Sequence, residues 1–397
     1  MNTPRGRCIQ ITDFSMTLLN ESGIERYVLE RAHPEIQIGD IVEDLKVLTQ
    51  QISPKAKLTD RILNPRRLKA MRVRSQVEQL IREYFFKQDF HEVRTPLLVK
   101  SPGMEAHIDP FQLSKGCFLP SSPEFAMKKL LVGGLEKIFQ ICHAFRDEPF
   151  SKHHRPEFMM LEFYRAFSND QAIQDDIEKL IESIAMGIHQ KTKIEYQKTQ
   201  IDLTTPWPRL QVNDLFKTHL DIDLAVETTR EKLRKRAEQA GVRTEKTDTW
   251  DEIYFRLWIE RIEPKLPLDR AVFVTHYPAS QAALSNLEVD DQGVAWAKRF
   301  EAYIGGIELC NGFDELTDSL VQRERFENEI AVRRLSGGVL SPLDEEFLAA
   351  LEEGMPPSGG VALGVDRLVM LMSDEEDIEY CFWLNAYTGE EIESRQP

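Results

Sequence analysis

The sequence predicts an α+β domain over residues 66–397, preceded by a short β-rich extension at 1–50 and a linker at 51–65. Three observations carry that reading. Strand-like and helix-like patterns are interspersed between residues 66 and 372 with no internal repeat, which favours one mixed domain over two independent ones. Two pairs of apolar runs are spaced as hairpins. Three further segments repeat their apolar residues, or carry end signals, at helical intervals.

In the extension, CIQI, YVLE and IQIGDIVEDLKVL read as short strands punctuated by Asn20, Gly23, Pro34 and Gly39. PKAKLTDRILNPRR, with Pro54 and Pro65, is the linker. Beyond it Val73, Val77, Leu80, Ile81 and Tyr84 form one helical stripe, and Ile173, Ile177, Leu180, Ile181, Ile184 and Ile188 form another. A third helix opens on a capping box of Thr228 with Glu231 and stops at Gly241. The basic stretch RRLKAMRVR, residues 66–74, reads as a solvated helix face.

IFQICHAFRDE and EFMMLEFYRAF have strand composition, and the polar PFSKHHRP joins them as a long loop. Side chains alternate along a strand, so Met159, Leu161, Phe163 and Phe167 share one face and Phe158, Glu162 and Tyr164 the other. On the first strand Arg146 and Glu148 share a face, opposite Phe139, Ile141 and Phe145. One face is apolar core. The other sets charges beside aromatic rings, a surface suited to a nucleotide base and its phosphates.

In RFEAYIGGIELCNGF, Gly305-Gly306 stands between two alternating runs, the chemistry of a two-residue turn. That turn puts Tyr303 opposite Glu308 and Glu301 opposite Cys310, which makes Glu301 and Glu308 diagonal neighbours on one face. Adjacent carboxylates repel unless a cation joins them. A magnesium ion carrying substrate phosphates would do so; a water-exposed pair at a sheet edge is the alternative. On this reading Glu301 faces solvent, and replacing it with Gln affects activity more than stability. In SGGVALGVDRLVMLM a glycine-bounded strand leads into a buried helix with Arg367 in its first turn, where the helix dipole opposes a cation. An anionic ligand such as a phosphate would account for it; a surface salt bridge is the alternative.

Composition narrows the function classes. A net charge of -16 argues against broad nucleic-acid binding, which needs clustered Lys and Arg. Cys8, Cys117, Cys142, Cys310 and Cys381 are scattered without a CxxC pair, against both a disulfide framework and a zinc site. No apolar run is long enough to cross a bilayer and MNTPRGRCIQITDF lacks a signal core, so a cytoplasmic protein is expected. His153 and His154, adjacent on a loop, read as solvated or ligand-facing rather than as a metal pair.

Taken in order, FHEVRTP at 90–96, FRDE at 145–148 and GVALGVDR at 360–367 resemble motifs 1, 2 and 3 of the class II aminoacyl-tRNA synthetases. SSPEF before the second and GIELCNGFDEL before the third point to the lysine branch. Within it, THYPASQAALS, GIELCNGFDELTD and SGGVALGVDRLVML look more like the free-standing ligases that lysinylate elongation factor P than like synthetases proper. The resemblance implies an antiparallel sheet flanked by helices, a homodimer formed through motif 1, and activation of lysine or β-lysine with ATP and Mg2+. It makes Arg146 and Arg367 the catalytic cations, on the α- and γ-phosphates. Glu148, His154, Phe158 and Gly364 belong to the ATP site, and Glu301 and Glu308 hold magnesium. Glu124 receives an amino group near the backbone end of the substrate, with Ser122 beside it. Glu162, Tyr164 and Glu315 take the side-chain ammonium, and Asn311 the carboxylate. Cys310 stands at a pocket position where synthetases usually carry glycine and the ligases alanine. Arg155 replaces the family's usual loop asparagine.

The first fifty residues are too few for a complete anticodon-binding OB barrel, although IQIGDIVE is reminiscent of one. The expected reaction is therefore transfer of lysine or β-lysine to a lysine side chain of elongation factor P, with tRNA not expected as a partner. Aminoacylation of tRNA and a catalytically silent regulatory paralogue are the alternatives.

Overall fold

The computed structural model describes residues 5–12, 15–20, 23–37, 40–49, 62 and 64–384. Most of the linker expected at 51–65, and residues 385–397 of the expected catalytic domain, lie outside the described residues. The chain divides into two compact units, Met1–Arg72 with Phe382–Pro397, and Val73–Cys381. The division falls inside the helix α1 (Pro65–Lys87).

The first unit carries β1 (Arg5–Thr12), β2 (Ser15–Asn20), β3 (Gly23–Val28), β4 (Ile41–Glu43) and β5 (Lys46–Thr49), all antiparallel in the order β3-β2-β1-β4-β5. Met16 and Leu18 of β2 pack with Cys8, Leu29, Ile36 and Val42. β2 is absent from the strands read off the pattern because its buried Ser15 and Thr17 blur the alternation. Five strands is the number in an OB barrel, but β3 and β5, at the sheet's two ends, are not paired with each other among the described residues.

The second unit is built on one nine-stranded sheet. In chain order its elements are β6 (His91–Glu92), α2 (Glu124–Val132), β7 (Lys137–Phe145), β8 (Glu157–Ala166), α3 (Asp170–His189), the separate pair β9 (Lys193–Tyr196) and β10 (Thr199–Asp202), and β11 (Arg209–Gln211). There follow α4 (Val212–Leu220), α5 (Arg230–Gln239), α6 (Trp250–Leu257), β12 (Ala271–Pro278), β13 (Leu287–Val289), β14 (Ala295–Ile304), β15 (Ile307–Asp314), α7 (Ser319–Ser336), α8 (Glu345–Gly354), β16 (Ser358–Gly364) and α9 (Val365–Ser373). The strand order is β11-β12-β14-β15-β16-β8-β7-β6, with β13 on β14; only the outer pairs β11–β12 and β6–β7 are parallel. The α+β expectation and the Gly305-Gly306 hairpin therefore hold, and β7 and β8 do pair, but β7 ends at Phe145, so Arg146 and Glu148 lie in the connecting loop 146–156 and not on a strand face as expected.

Alternation decides which face each helix covers. Leu161 and Phe163 of β8 point to one side, where Phe163 meets Phe85 of α1 and Phe90, with ring centroids 4.8 and 6.1 Å away. α3 closes the same side with Ile173, Ile177, Leu180, Ile181 and Ile184, all fully buried. Asn169 caps α3 by accepting a hydrogen bond from the Ala172 amide at 3.1 Å. Tyr164 points to the other side, into a cluster with Phe125 and Leu131 of α2, Phe326 of α7 and Phe347 of α8.

Four expectations are corrected. Phe167 lies beyond the end of β8 with φ 53° and a 73% exposed side chain, so it is not part of the core face. The cap of α5 is Thr229, one residue later than Thr228, and the reciprocal capping box belongs to α6, between Thr249 and Glu252. The buried stripe of α1 runs Val73, Val77, Ile81, Phe85, leaving Leu80 and Tyr84 at its margin. Nor is 66–74 wholly solvated: Arg67 and Arg74 are buried.

Arg74 explains why a helix interior spends an arginine. Its guanidinium pairs with Asp366, which is 2% exposed, and donates to the Cys381 carbonyl at 2.9 Å. Asp366 in turn accepts from the Met159 amide at 2.7 Å, tying α9 to the start of β8. Asp366→Ala removes the buried carboxylate partner of Arg74, whose other carboxylate, Glu78, stands farther off at 3.4 Å, and is expected to cost about 3–5 kcal/mol, read as a lower urea midpoint at unchanged m-value.

Candidate functional site

Strand register lines up the site. Gln140 of β7 faces Glu162 of β8, Glu162 faces Ala362 of β16, Ala362 faces Asn311 of β15, and Asn311 faces Glu301 of β14. Directly opposed residues share a face, so one polar row crosses five strands on the side covered by α2.

At the β8 end of the row is a closed acidic pocket. Glu162 is fully buried and accepts from the Ser122 hydroxyl at 2.5 Å and the Tyr164 hydroxyl at 2.7 Å. Burial, then the charge of Glu124, pushes its carboxyl up to about 8, against the pull of those two donors. Glu315, 1% exposed, lies in the same pocket, and its Oε1 accepts no hydrogen bond among the described residues. Its one ion pair is with Lys128, whose Nζ lies 2.6 Å from Glu315 Oε2 and 2.5 Å from Glu124 Oε1. Burial raises the Glu124 and Glu315 carboxyls, while Lys128 opposes that rise in both. Gly360 is required here, since a Cβ on it would overlap the Tyr164 ring and a Glu315 oxygen.

The β14 end is a mixed-charge cleft. Glu301 is 7% exposed, not solvent-facing as expected: Arg299 donates to Oε1 at 2.6 Å and Tyr303 to Oε2 at 2.8 Å. Arg299 also donates to Asn311 Oδ1 at 3.1 Å and lies over the Tyr277 ring at 4.6 Å. Glu308 faces Tyr303 and keeps 42% of its side chain exposed. Arg367 donates to the Glu308 carbonyl at 2.7 Å, and its guanidinium stands 3.8 Å from Glu308 Oε2. The depth of the cleft and the nearby Glu301 charge push the Glu308 carboxyl up to about 7. A carboxyl without a hydrogen-bonded donor beside a second carboxylate is a donor set that a divalent cation would complete, so the two residues fit magnesium.

The loop 149–156 reaches the same cleft. His154 Nε2 is 2.8 Å from Arg367 Nη2, and its Nδ1 is 2.9 Å from Ser151 Oγ. Burial and the Arg367 charge lower the His154 pKa, which favours the neutral ring. Arg146 lies over the Phe158 ring at 5.3 Å, and its buried Nε has no hydrogen-bond partner. Glu148 follows directly, its amide donating to the Arg146 carbonyl at 2.9 Å. Gly364 caps α9 and faces Met160 across β16–β8. Arg155 is turned away, held by the Ser151 and His154 carbonyls, Asp377 and Glu379.

Cys310 does not join the others. The hairpin carries a bulge between Ala302 and Tyr303, so Ala302 faces Cys310 and Glu301 faces Asn311. One extra residue on β15 reverses which side chains face the pocket. Cys310 thus lies on the opposite face from Asn311, fully buried, its thiol raised by that burial. It is core, not pocket lining.

Two residues escaped the sequence reading. Lys128 falls on the apolar stripe Phe125–Lys128–Leu131 and four residues after Glu124, a pattern that marks a buried ion pair on one helix face. Arg299 alternates with Glu301 on β14, which places the two on one face.

The family model for tRNA synthetases class II (D, K and N) matches residues 50–384. The chain is 33% identical to the lysine–tRNA ligase of Pelotomaculum thermopropionicum, over 91% of this chain and 78% of that one. It is 31% identical to the lysine–tRNA ligase of Carboxydothermus hydrogenoformans, over 90% and 80%, and 33% identical to that of Fervidobacterium nodosum, over 90% and 72%. The chain belongs to the class II tRNA synthetase family. Among the described residues no helix is long and apolar enough to cross a membrane.

Because folded Glu162 holds its proton more tightly than the unfolded chain does, its contribution to stability is present below the ordinary 4.5 and lost as pH rises through about 8. Carboxyl 13C NMR of the ligand-free protein should find a Glu162 midpoint near 8, and Tyr164→Phe should raise it further by removing a donor to the charged form.

Proposed function

We propose that this chain activates the carboxylate of a diamino acid, lysine or β-lysine, with ATP and then transfers the aminoacyl group to an acceptor. The single observation that carries the reading is the charge of the acidic pocket. Glu124, Glu162 and Glu315 stand against one resident cation, Lys128. When all are ionised the pocket is two positive charges short of neutrality, which is what a substrate with two ammonium groups supplies.

In the proposed reaction a carboxylate oxygen of the amino acid attacks the α-phosphorus, the bond to the bridging oxygen breaks, and aminoacyl-adenylate and pyrophosphate result. Glu162, Tyr164 and Glu315 hold the side-chain ammonium and Glu124 the other, fixing the carboxylate toward the cleft. Arg146, with its unpartnered Nε, meets the α-phosphate, and Arg367 meets the pyrophosphate end. Displacing the Arg146 guanidinium from Phe158 frees that ring to stack on adenine. Glu148 and His154 border the nucleotide, and Gly364 leaves its approach open. Magnesium held by Glu301 and Glu308 would offset charge on the leaving pyrophosphate. Asn311 orients the carboxylate from its place between Glu301 and Ala362. A homodimer formed through residues 90–96 belongs to the same reading.

Two acceptors are proposed. A lysine side chain of elongation factor P is favoured by the resemblance of 275–285, 306–318 and 358–371 to the ligases that modify that factor. Transfer RNA is favoured by the relatives named lysine–tRNA ligases, and the expectation that tRNA is no partner is withdrawn. A match over 91% of the chain necessarily reaches into the residues before 50, so these relatives share part of the extension as well.

Lysine-dependent exchange of pyrophosphate into ATP tests the activation step. Exchange is expected with lysine or β-lysine and not with norleucine, which would leave buried carboxylates unpaired; no exchange with any lysine isomer overturns the reading. Lysine affinity should rise as pH is raised toward about 8, because Glu162 must release its proton to pair with an ammonium. Movement of labelled lysine to tRNA or to elongation factor P then decides the acceptor. Since Glu301 is locked to the half-buried Arg299, the cleaner metal test is Glu308→Gln, expected to slow exchange by roughly tenfold or more while unfolding free energy stays within about 0.5 kcal/mol.

A further inference from the structure

Lys128 is the only fully buried lysine among the described residues. It stands inside the pocket, its Nζ 2.5 Å from Glu124 Oε1 and 2.6 Å from Glu315 Oε2. Helix spacing alone delivers the first contact, since Glu124 and Lys128 are four apart on α2. The second is long-range, from α2 to the end of β15. A buried cation bridging two buried carboxylates is costly unless it is used, and apolar residues would fill the same space more cheaply. Three carboxylates with no resident cation would instead share protons, because like charges so close cannot all ionise in a buried site.

We propose that Lys128 is a positioning residue that sets the charge of the amino-acid pocket, holding Glu124 and Glu315 ionised and in place for a substrate carrying two ammonium groups. The proposal rests on the activation reading above. Lys128 touches neither ATP nor the reacting carboxylate; it acts through the two carboxylates that it pairs. Its Nζ acts as a fixed stand-in for one ammonium, so that the pocket has room, in charge, for two more and not three. Without it, Glu124 and Glu315 hold their protons more tightly, as does Glu162, which faces them from β8 and also feels the Lys128 charge, and a diamino acid binds only after those protons leave.

Lys128→Met tests this in the full chain by lysine-dependent pyrophosphate exchange. The KM for lysine should rise at least tenfold while the KM for ATP stays within twofold. The acid limb of kcat/KM for lysine should move up by at least one pH unit, which loss of packing would not produce. Lys128→Gln keeps a donor toward both carboxylates without the charge, and guards against misfolding of the methionine variant. It should show the same shift of the limb, and wild-type behaviour in Lys128→Gln overturns the proposal. In Lys128→Ala, ethylammonium or propylammonium should restore at least fivefold of the lost kcat/KM by occupying the vacated space. An unmoved acid limb, or equal losses for lysine and ATP without amine rescue, also overturns it. Failure of the wild-type chain to exchange with any lysine isomer would instead overturn the activation reading itself, so the two failures are distinguishable.

Discussion

The second unit depends on one constraint: negative charge buried on a sheet must be answered within hydrogen-bonding reach. Of the buried carboxylates among its described residues, four show the range of answers. Asp366 has Arg74, Glu301 has Arg299 and Tyr303, Glu162 has two hydroxyls, and Glu315 shares Lys128 with Glu124. The first two are paired with full cations, which joins α9 to β8 and fixes β14 beside Asn311 while leaving Glu301 lone pairs toward the cleft. The others are under-compensated, and under-compensation in a dry pocket is what gives a cationic ligand its binding energy.

Most of the architecture is legible in the sequence because it follows from short-range rules. The stripe of α3, the pairing of β7 with β8 and the Gly305-Gly306 turn each rest on residues a few positions apart, and each appears where alternation or helical spacing puts it, although β7 stops at Phe145 and leaves Arg146 and Glu148 in the loop. What was not legible depends on a single extra residue or on distant partners. The bulge in β15 has no composition of its own, yet it exchanges Cys310 for Asn311 opposite Glu301. Glu301 reads as solvent-facing from the pattern because nothing in the pattern alone pairs it with Arg299, two residues earlier on the same strand. Lys128 was hidden by the adjacent Lys129, and only the fold brings Glu315 to it. The Thr228 and Thr229 pair offers two caps of equal chemistry, and the backbone turns helical after the second.

The polar row also gives the site a direction. From Glu162 through Ala362 and Asn311 to Glu301, one sheet face passes from a closed pocket of carboxylates to a cleft where Arg299, Arg367 and Arg146 gather. A molecule with ammonium groups at one end and a carboxylate at the other fits such a gradient in only one orientation. In the proposed reaction, binding energy from the far ammonium would be spent on aligning the carboxylate with the phosphate that it attacks. Ala362 and Gly360 matter for what they lack, since larger side chains at either would stand between the two ends.

Size and charge act together on selectivity. A wider pocket lined by the same carboxylates would admit water, and water would answer their charge as well as an ammonium does. Gly360 prevents this by letting the Tyr164 ring and the Glu315 carboxylate close to contact across β16. Burial and the neighbouring Glu124 charge make the sealed Glu162 carboxyl hold its proton up to about 8, and on the proposed reading an ammonium replaces that proton. An uncharged side chain of the same shape would fill the volume but leave the carboxylates either protonated or unpaired. Discrimination by charge in a dry site is thus larger than discrimination by one methylene, which is worth only about 1–3 kcal/mol. The tight glycine contact and the raised carboxyl are two aspects of one exclusion of water.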